Sequence, residues 1–173
     1  EVSTGFVPLA SIVPLVQRLG AEAHRLEENE VVGAGGRISC QRGCAACCRM
    51  LVPVSPLEAI ALRQYVLSLP EERRRTLLDR LDEAKRRLEE AGLLGFLTDV
   101  ADSGAACSDE ELEPLNRSYY ALRMPCPFLD NEQCSIYEHR PAACRELLVT
   151  SPPELCQDLA HNAVTPIDVS IRV

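Results

Sequence analysis

Four of the nine cysteines fall within nine residues, as Cys40, Cys44, Cys47 and Cys48, and three more gather at Cys126, Cys134 and Cys144. Crowded thiols constrain the fold more than any other feature of this chain. Thiolates at short range repel one another unless a cation or an iron–sulfur core holds them. Cysteines that merely fill a core have no reason to bunch, so the grouping reads as a metal- or cluster-binding site.

A disulfide framework is the competing reading, and it is the weaker one. The number of cysteines is odd, the neighbours Cys47 and Cys48 are poorly suited to bonding with each other, and 173 residues build a hydrophobic core without staples. Metal-held thiols go with a reducing, cytoplasmic setting. An apolar fraction of 46% and a charged fraction of 25% are those of a soluble globular domain. Aromatics are only 4% and tryptophan is absent, so the core rests on Leu, Val, Ile and Ala, which tilts the chain toward helix. The net charge of −8 argues against a nucleic-acid partner, whose binders carry a basic footprint. The runs Arg73-Arg74-Arg75 and Lys85-Arg86-Arg87 are interleaved with acids and read as a solvated helix face. No apolar run is long enough to cross a bilayer, so no membrane role is expected.

The pattern along the chain is helical with one small hairpin. A helix is expected from Pro8 to about Glu30, with Leu15, Leu19, Ala23 and Leu26 on its apolar stripe, ending in a loop at Gly33, Gly35 and Gly36. Met50 to Val54 reads as extended. Ser55, Pro56 and Glu58 form the opening of a helix to about Leu69. Ser68-Leu69-Pro70-Glu71 repeats that opening for a helix to about Ala91, burying Leu77, Leu81, Ala84 and Leu88 and stopped by Gly92. Gly92 to Ala106 reads as a soft connection, and Ser108 with Glu111 caps a further helix over Asp109 to Tyr120. A hairpin turns at Asp130-Asn131, a short helix carrying Cys144 starts at Pro141, and an irregular tail ends in a strand at Asp168 to Val173. The expected fold class is mostly α, a helical domain with a small β-hairpin organised around a cysteine-rich metal site, with residues 1–173 forming one domain.

Spacings of two or three residues let one tight loop aim several sulfurs at a point, as Cys40, Cys44 and Cys47 do. Cys48, next to Cys47, points elsewhere, toward a second ion or another edge of one cluster. Cys126 and Cys134 flank the hairpin turn, and Cys144 opens the following helix. Arg42, Arg49, Arg140 and Arg145 each lie within four residues of a cysteine, where a guanidinium favours the thiolate. The histidines carry little weight: His24 lies on a helix, His161 in the tail and His139 in a loop. Tyr137 and Phe128 read as packing of the hairpin.

The first cysteine group, the stretch Cys126-Pro127-Phe128-Leu129, and the run from Cys134-Ser135-Ile136-Tyr137 through Glu138-His139-Arg140-Pro141 to Cys144-Arg145 resemble the bacterial CxxCxxCC cysteine-cluster family. That family is described as zinc- or iron-chelating and is related to a flagellin lysine methylase. The resemblance covers about Cys40 to Cys156. It implies eight metal-ligating cysteines, which map to Cys40, Cys44, Cys47, Cys48, Cys126, Cys134, Cys144 and Cys156, and leaves Cys107 over. Arg140 and Arg145, inside the matched run, are the candidates for tuning or anchoring a bound cofactor.

Eight sulfurs suit two tetrahedral zinc ions, an iron–sulfur cluster (4Fe–4S foremost) beside one zinc, or a single cluster with spare thiols. The leading expectation is a metal-binding protein holding an iron–sulfur cluster or zinc in a redox, metal-handling or accessory role. Two alternatives stay open. The spacing Cys40-x3-Cys44-x2-Cys47 is also that of radical S-adenosylmethionine enzymes, which points to cluster-dependent or methyl-transfer chemistry, although Ala46 stands where an aromatic is common. A structural zinc module would instead present a surface to a protein partner.

Overall fold

In the computed structural model, residues 6–103 and 107–167 are described. The order is a 3-10 turn (Leu9–Ile12), α1 (Val13–Gly33), a 3-10 turn (Ala46–Arg49), α2 (Pro56–Ser68), α3 (Glu71–Glu90), α4 (Leu94–Ser103) and α5 (Asp109–Ala121). The hairpin β1 (Leu129–Asp130) and β2 (Gln133–Cys134), a 3-10 turn (Tyr137–His139), α6 (Ala142–Glu146) and a last 3-10 turn (Pro153–Asp158) follow. The fold is mostly α with one small antiparallel hairpin, as the sequence predicts.

Local chemistry explains the helix ends. Ser55 and Ser108 each accept a bond from the amide three residues on, while Glu58 and Glu111 bond back, so α2 and α5 both open with a capping box. Ser68 does not open α3. Its hydroxyl donates to the Tyr65 carbonyl at 2.7 Å inside the last turn of α2, and Pro70 stands at the α3 N-cap. Helix α1 runs through Gly33 and stops where Gly35 takes φ +84°, with Gly36 N–H donating to Val31 O at 2.9 Å in a Schellman arrangement. Gly92, at φ +72°, ends the α3 region as its sequence position suggests.

Three further expectations about the helices are corrected. The Leu15, Leu19 and Leu26 stripe of α1 faces outward, at 49%, 61% and 59% exposure, while Val13, Gly20 and His24 are buried. Periodicity identified the helix but not the docking face. Helix α1 packs on α2 and α6 through a stripe of small and polar residues, where Gln17 donates to the Arg140 carbonyl at 3.2 Å. In α3, Leu77 is fully buried, but Leu81 is exposed at 37%, with Ala84 and Leu88 half-buried. Finally, Leu94–Ser103 is helix α4, not a soft connection. Leu93, Leu97 and Val100 are half-buried at helical spacing, which outweighs the single Gly95.

The hairpin pairs Leu129 with Cys134 and Asp130 with Gln133, and its loop residues are Asn131 (φ 48°) and Glu132 (φ 59°). Two left-handed loop residues are the geometry that matches strand twist in a two-residue hairpin, so the turn is centred one residue later than expected. Asp130 takes bonds from Arg73 and Arg80 of α3, the second at 2.6 Å, and Glu132 takes a forked pair from Arg49 at 2.8 and 3.1 Å. Glu58 joins the start of α2 to α6 by accepting the Ala142 amide at 2.7 Å. Near the C-terminal end of the described chain, Ser39, Val149 and Pro166 lie side by side through Ser39 N–H to Val149 O at 2.9 Å and a Val149–Pro166 bridge. The strand expected at 168–173 lies outside the described residues.

Candidate metal centre

The first thiol group is shaped by one tight turn and one 3-10 turn. Cys44 N–H donates to Gln41 O at 3.0 Å, with Gly43 at φ +95°, a conformation that side chains avoid, so the chain reverses between Cys40 and Cys44. The following turn, Ala46–Arg49, is fixed by Cys48 N–H to Ala45 O and Met50 N–H to Cys47 O, both 3.0 Å. Cys40 is held from the other side. Its sulfur accepts the Val149 amide at 3.3 Å and faces the Leu147 carbonyl at 3.7 Å.

The second group is brought to the first by the backbone: Cys126 N–H donates to Cys48 O at 2.8 Å. From there Leu129 N–H returns to Cys126 O at 2.9 Å, closing the entry to the hairpin, and β2 carries Cys134. Cys144 sits in α6, with its amide on Pro141 O at 3.1 Å. Sulfurs separated by about eighty residues of sequence therefore share one neighbourhood, with α2 to α5 forming the excursion between them. None of the cysteines is in a disulfide.

Electrostatic coupling links the candidate thiols into two overlapping groups. Cys48 is held below the ordinary thiol range, chiefly by a hydrogen bond from Cys47, while burial and the sulfurs of Cys126, Cys134 and Cys144 oppose that. Cys47, as the donor, is driven well above its ordinary value by that bond and then by burial. Burial, then the sulfurs of Cys126 and Cys47, pushes Cys144 up to about 12. Cys126 is raised by burial, against a bond from the Phe128 amide, with Cys134 adding to the rise. On the other side, Cys40 is raised by burial and then by Cys47 and Cys44, and Cys156 by burial and then by Cys40, Cys44 and Cys47. One group is thus Cys48, Cys126, Cys134 and Cys144, and the other Cys40, Cys44 and Cys47, with Cys156 in electrostatic reach. The two overlap at Cys47, which also acts on Cys126 and Cys144. Cys107 stands apart in the chain, just ahead of the α5 N-cap Ser108.

Among the flanking arginines, Arg140 favours the thiolate at Cys40, Cys47 and Cys144, while Arg49 interacts with Cys48 and Arg145 with Cys144. Its Nε donates to Tyr137 O at 3.0 Å and its guanidinium lies 3.7 Å over the Tyr137 ring. Tyr137 therefore seats arginine and is more than hairpin packing. Arg145 braces the same loop by donating to the carbonyls of Arg140 and Glu138, and burial lowers its pKa. Arg49 is committed to Ala45 O and Glu132, which ties the hairpin to the Cys47–Cys48 turn.

A cleft of about 320 Å³ opens on this region, and His24, Cys40, Cys44, Cys47, Arg140 and Cys144 are among the residues lining it. Sequence reasoning passed over His24. It is 6% exposed, and its Nε2 has no hydrogen-bond partner among the described residues. The available signal was its place on the stripe of Val13, Gln17 and Gly20, the side of α1 that packs. His139, by contrast, stacks on Tyr65 at 3.9 Å between ring centres, and His161 pairs with Asp158 on the surface at 2.9 Å.

Among the described residues, no three Cys, His, Asp or Glu side chains already stand where they would hold one ion. The donors themselves fit a thiophilic metal. They are mostly half-buried thiols outside any disulfide, beside one imidazole nitrogen without a hydrogen-bond partner. Soft sulfur donors select zinc, or iron in clusters, over hard cations.

A helical scaffold that gathers one cysteine group on tight turns and another on a hairpin and a short helix defines a cysteine-cluster protein. Residues 39–160 match the CxxCxxCC family, described as a "putative zinc- or iron-chelating domain", and the chain belongs to that family. Comparison with curated proteins and with solved structures gives no match. Among the described residues, no helix is long and apolar enough to cross a membrane.

Proposed function

We propose that this protein binds metal through cysteine thiolates, as an iron–sulfur cluster or zinc, in a redox, metal-handling or accessory role. The observation that carries the reading is the convergence of the two cysteine groups, through the Cys126 amide on Cys48 O and the cleft shared by Cys40, Cys44, Cys47 and Cys144, with no cysteine spent on a disulfide. Cys48, Cys126, Cys134 and Cys144 form one donor set, and Cys40, Cys44 and Cys47 the core of the other. Both four-thiolate zinc and a [4Fe–4S] core carry about −2. Arg140 offsets that charge from beside the thiols, with Arg145 bracing its loop. Bound metal would supply the attraction that draws mutually repelling sulfurs into ligating distance, so metal occupancy and folding are coupled. Free thiols in this number also support a reducing, cytoplasmic setting. The helices that follow the first cysteine loop, where a radical S-adenosylmethionine barrel would have alternating strands, favour the binding reading over that enzyme.

The test is Cys44→Ser in protein purified without oxygen. Metal content and melting temperature are expected to fall together. A variant with full metal content and an unchanged melting point refutes the assignment. Brown colour bleached by dithionite marks iron–sulfur, whereas a colourless protein with stoichiometric zinc marks the other metal.

A further inference from the structure

His24 is buried, at 6% exposure, and its Nε2 is the one buried side-chain nitrogen or oxygen among the described residues without a hydrogen-bond partner. A histidine kept only for packing would gain by bonding that nitrogen or by giving way to an apolar residue, because an unmet buried polar atom is costly. Instead His24 is among the residues lining the cleft that also holds Cys40, Cys44, Cys47 and Cys144, and it borders a second cavity with Gln17, Glu58 and Arg145. Helix α1, which carries it, precedes the 39–160 span of the family match, so the family's cysteine pattern does not account for it. The helix is nonetheless fastened to the cysteine-bearing region by its packing on α6 and by the Gln17 bond to Arg140 O. Cys156 occupies a different setting. It is 9% exposed in an apolar cluster with Ala46 and Val149, and it is not among the residues lining the cleft.

We propose that His24 Nε2 is a metal ligand, taking the fourth position of the site formed by Cys40, Cys44 and Cys47, with Cys156 a packing residue behind them. The proposal rests on the thiolate-metal reading above. A three-sulfur, one-nitrogen set is a standard tetrahedral arrangement for zinc, and imidazole suits zinc and iron alike. Ligation would satisfy the orphaned nitrogen and close the cleft side of the site with α1. Glu28, one turn further along α1, lines the same cleft, within reach of a role in orienting the ligands.

The test titrates the full chain, stripped of metal under reducing conditions, with cobalt(II) alone. The wild-type protein is expected to show sulfur-to-cobalt charge transfer together with the ligand-field bands of a mixed sulfur–nitrogen site. His24→Gln should move those bands and weaken binding at that site on the order of tenfold or more. Cys156→Ser should leave both unchanged. Superimposable wild-type and His24→Gln titrations overturn the His24 assignment while sparing the thiolate reading, and a loss confined to Cys156→Ser does the same. Cobalt that fails to bind the wild-type chain overturns both. Because His24→Gln alters a buried position, zinc titration of wild-type protein labelled with ¹⁵N-histidine provides a second readout. One imidazole Nε2 resonance is expected to move into the metal-bound range, and unmoved histidine resonances overturn the proposal.

Discussion

Asp130→Asn tests how the hairpin is held against the helices. Asp130 accepts from Arg73 and from Arg80, whose Nη1 also donates to Leu129 O at 3.2 Å and Pro127 O at 3.3 Å, so one carboxylate fixes the turn leading to Cys134 on α3. The side chains are partly exposed, 28% for Asp130, 35% for Arg73 and 38% for Arg80, so screening by water reduces each pair well below the worth of a buried one. Two charge-assisted pairs in such a setting contribute about 1–2 kcal/mol together, a melting shift of roughly 2–8 °C for a chain this size. Arg73, then Arg80, holds the Asp130 carboxyl below its ordinary 3.8. A depressed folded-state pKa contributes stability that is present above the unfolded value and lost as pH falls through the folded one. Asparagine has no such dependence. In urea unfolding of metal-free, reduced protein, the gap between wild type and variant should be full at neutral pH, narrow below 3.8, and shrink in 1 M salt, where the Debye length is about 3 Å. Equal stabilities at neutral pH, or a gap that widens on acidification, would refute the reasoning.

Two other outcomes follow from the geometry. A Cβ at Gly95, inside α4, meets nothing within 4 Å, so Gly95→Ala should raise stability by about 0.5–1 kcal/mol in urea titration; destabilisation would contradict a helix at Leu94–Ser103. Because the Cys47 bond lowers Cys48, Cys48 should be the first candidate ligand alkylated in metal-free protein at neutral pH, as mapped by mass spectrometry, and Cys47→Ala should erase that preference. Unchanged order in Cys47→Ala would mean the bond does not govern reactivity.

What the sequence disclosed was what local chemistry decides. Capping boxes at Ser55 and Ser108, the glycine stops and the hairpin near Asn131 were legible because each depends on a few adjacent residues. The grouping of Cys40 to Cys48 with Cys126, Cys134 and Cys144 was legible because metal chemistry leaves a spacing signature. Helix α4 was obscured by Gly95, whose cost its neighbours' packing outweighs. The docking face of α1 was obscured because Leu15, Leu19 and Leu26 form the stronger apolar stripe yet face outward. His24 was lost with that face, since its environment is set by α6 and the cysteine loop, far away in sequence. The opposite shifts of Cys47 and Cys48 depend likewise on the 3-10 turn that carries both, which no spacing rule specifies.

The central claim is that sulfurs from both cysteine groups hold metal. X-ray absorption at the zinc and iron edges, on full-length protein purified without oxygen, addresses it most directly. The expected result is at least one tightly held ion per chain with a first shell dominated by sulfur, at about 2.3 Å if the metal is zinc. Protein that carries neither metal, takes up neither when both are supplied under reducing conditions, or binds them through oxygen and nitrogen alone would contradict the account.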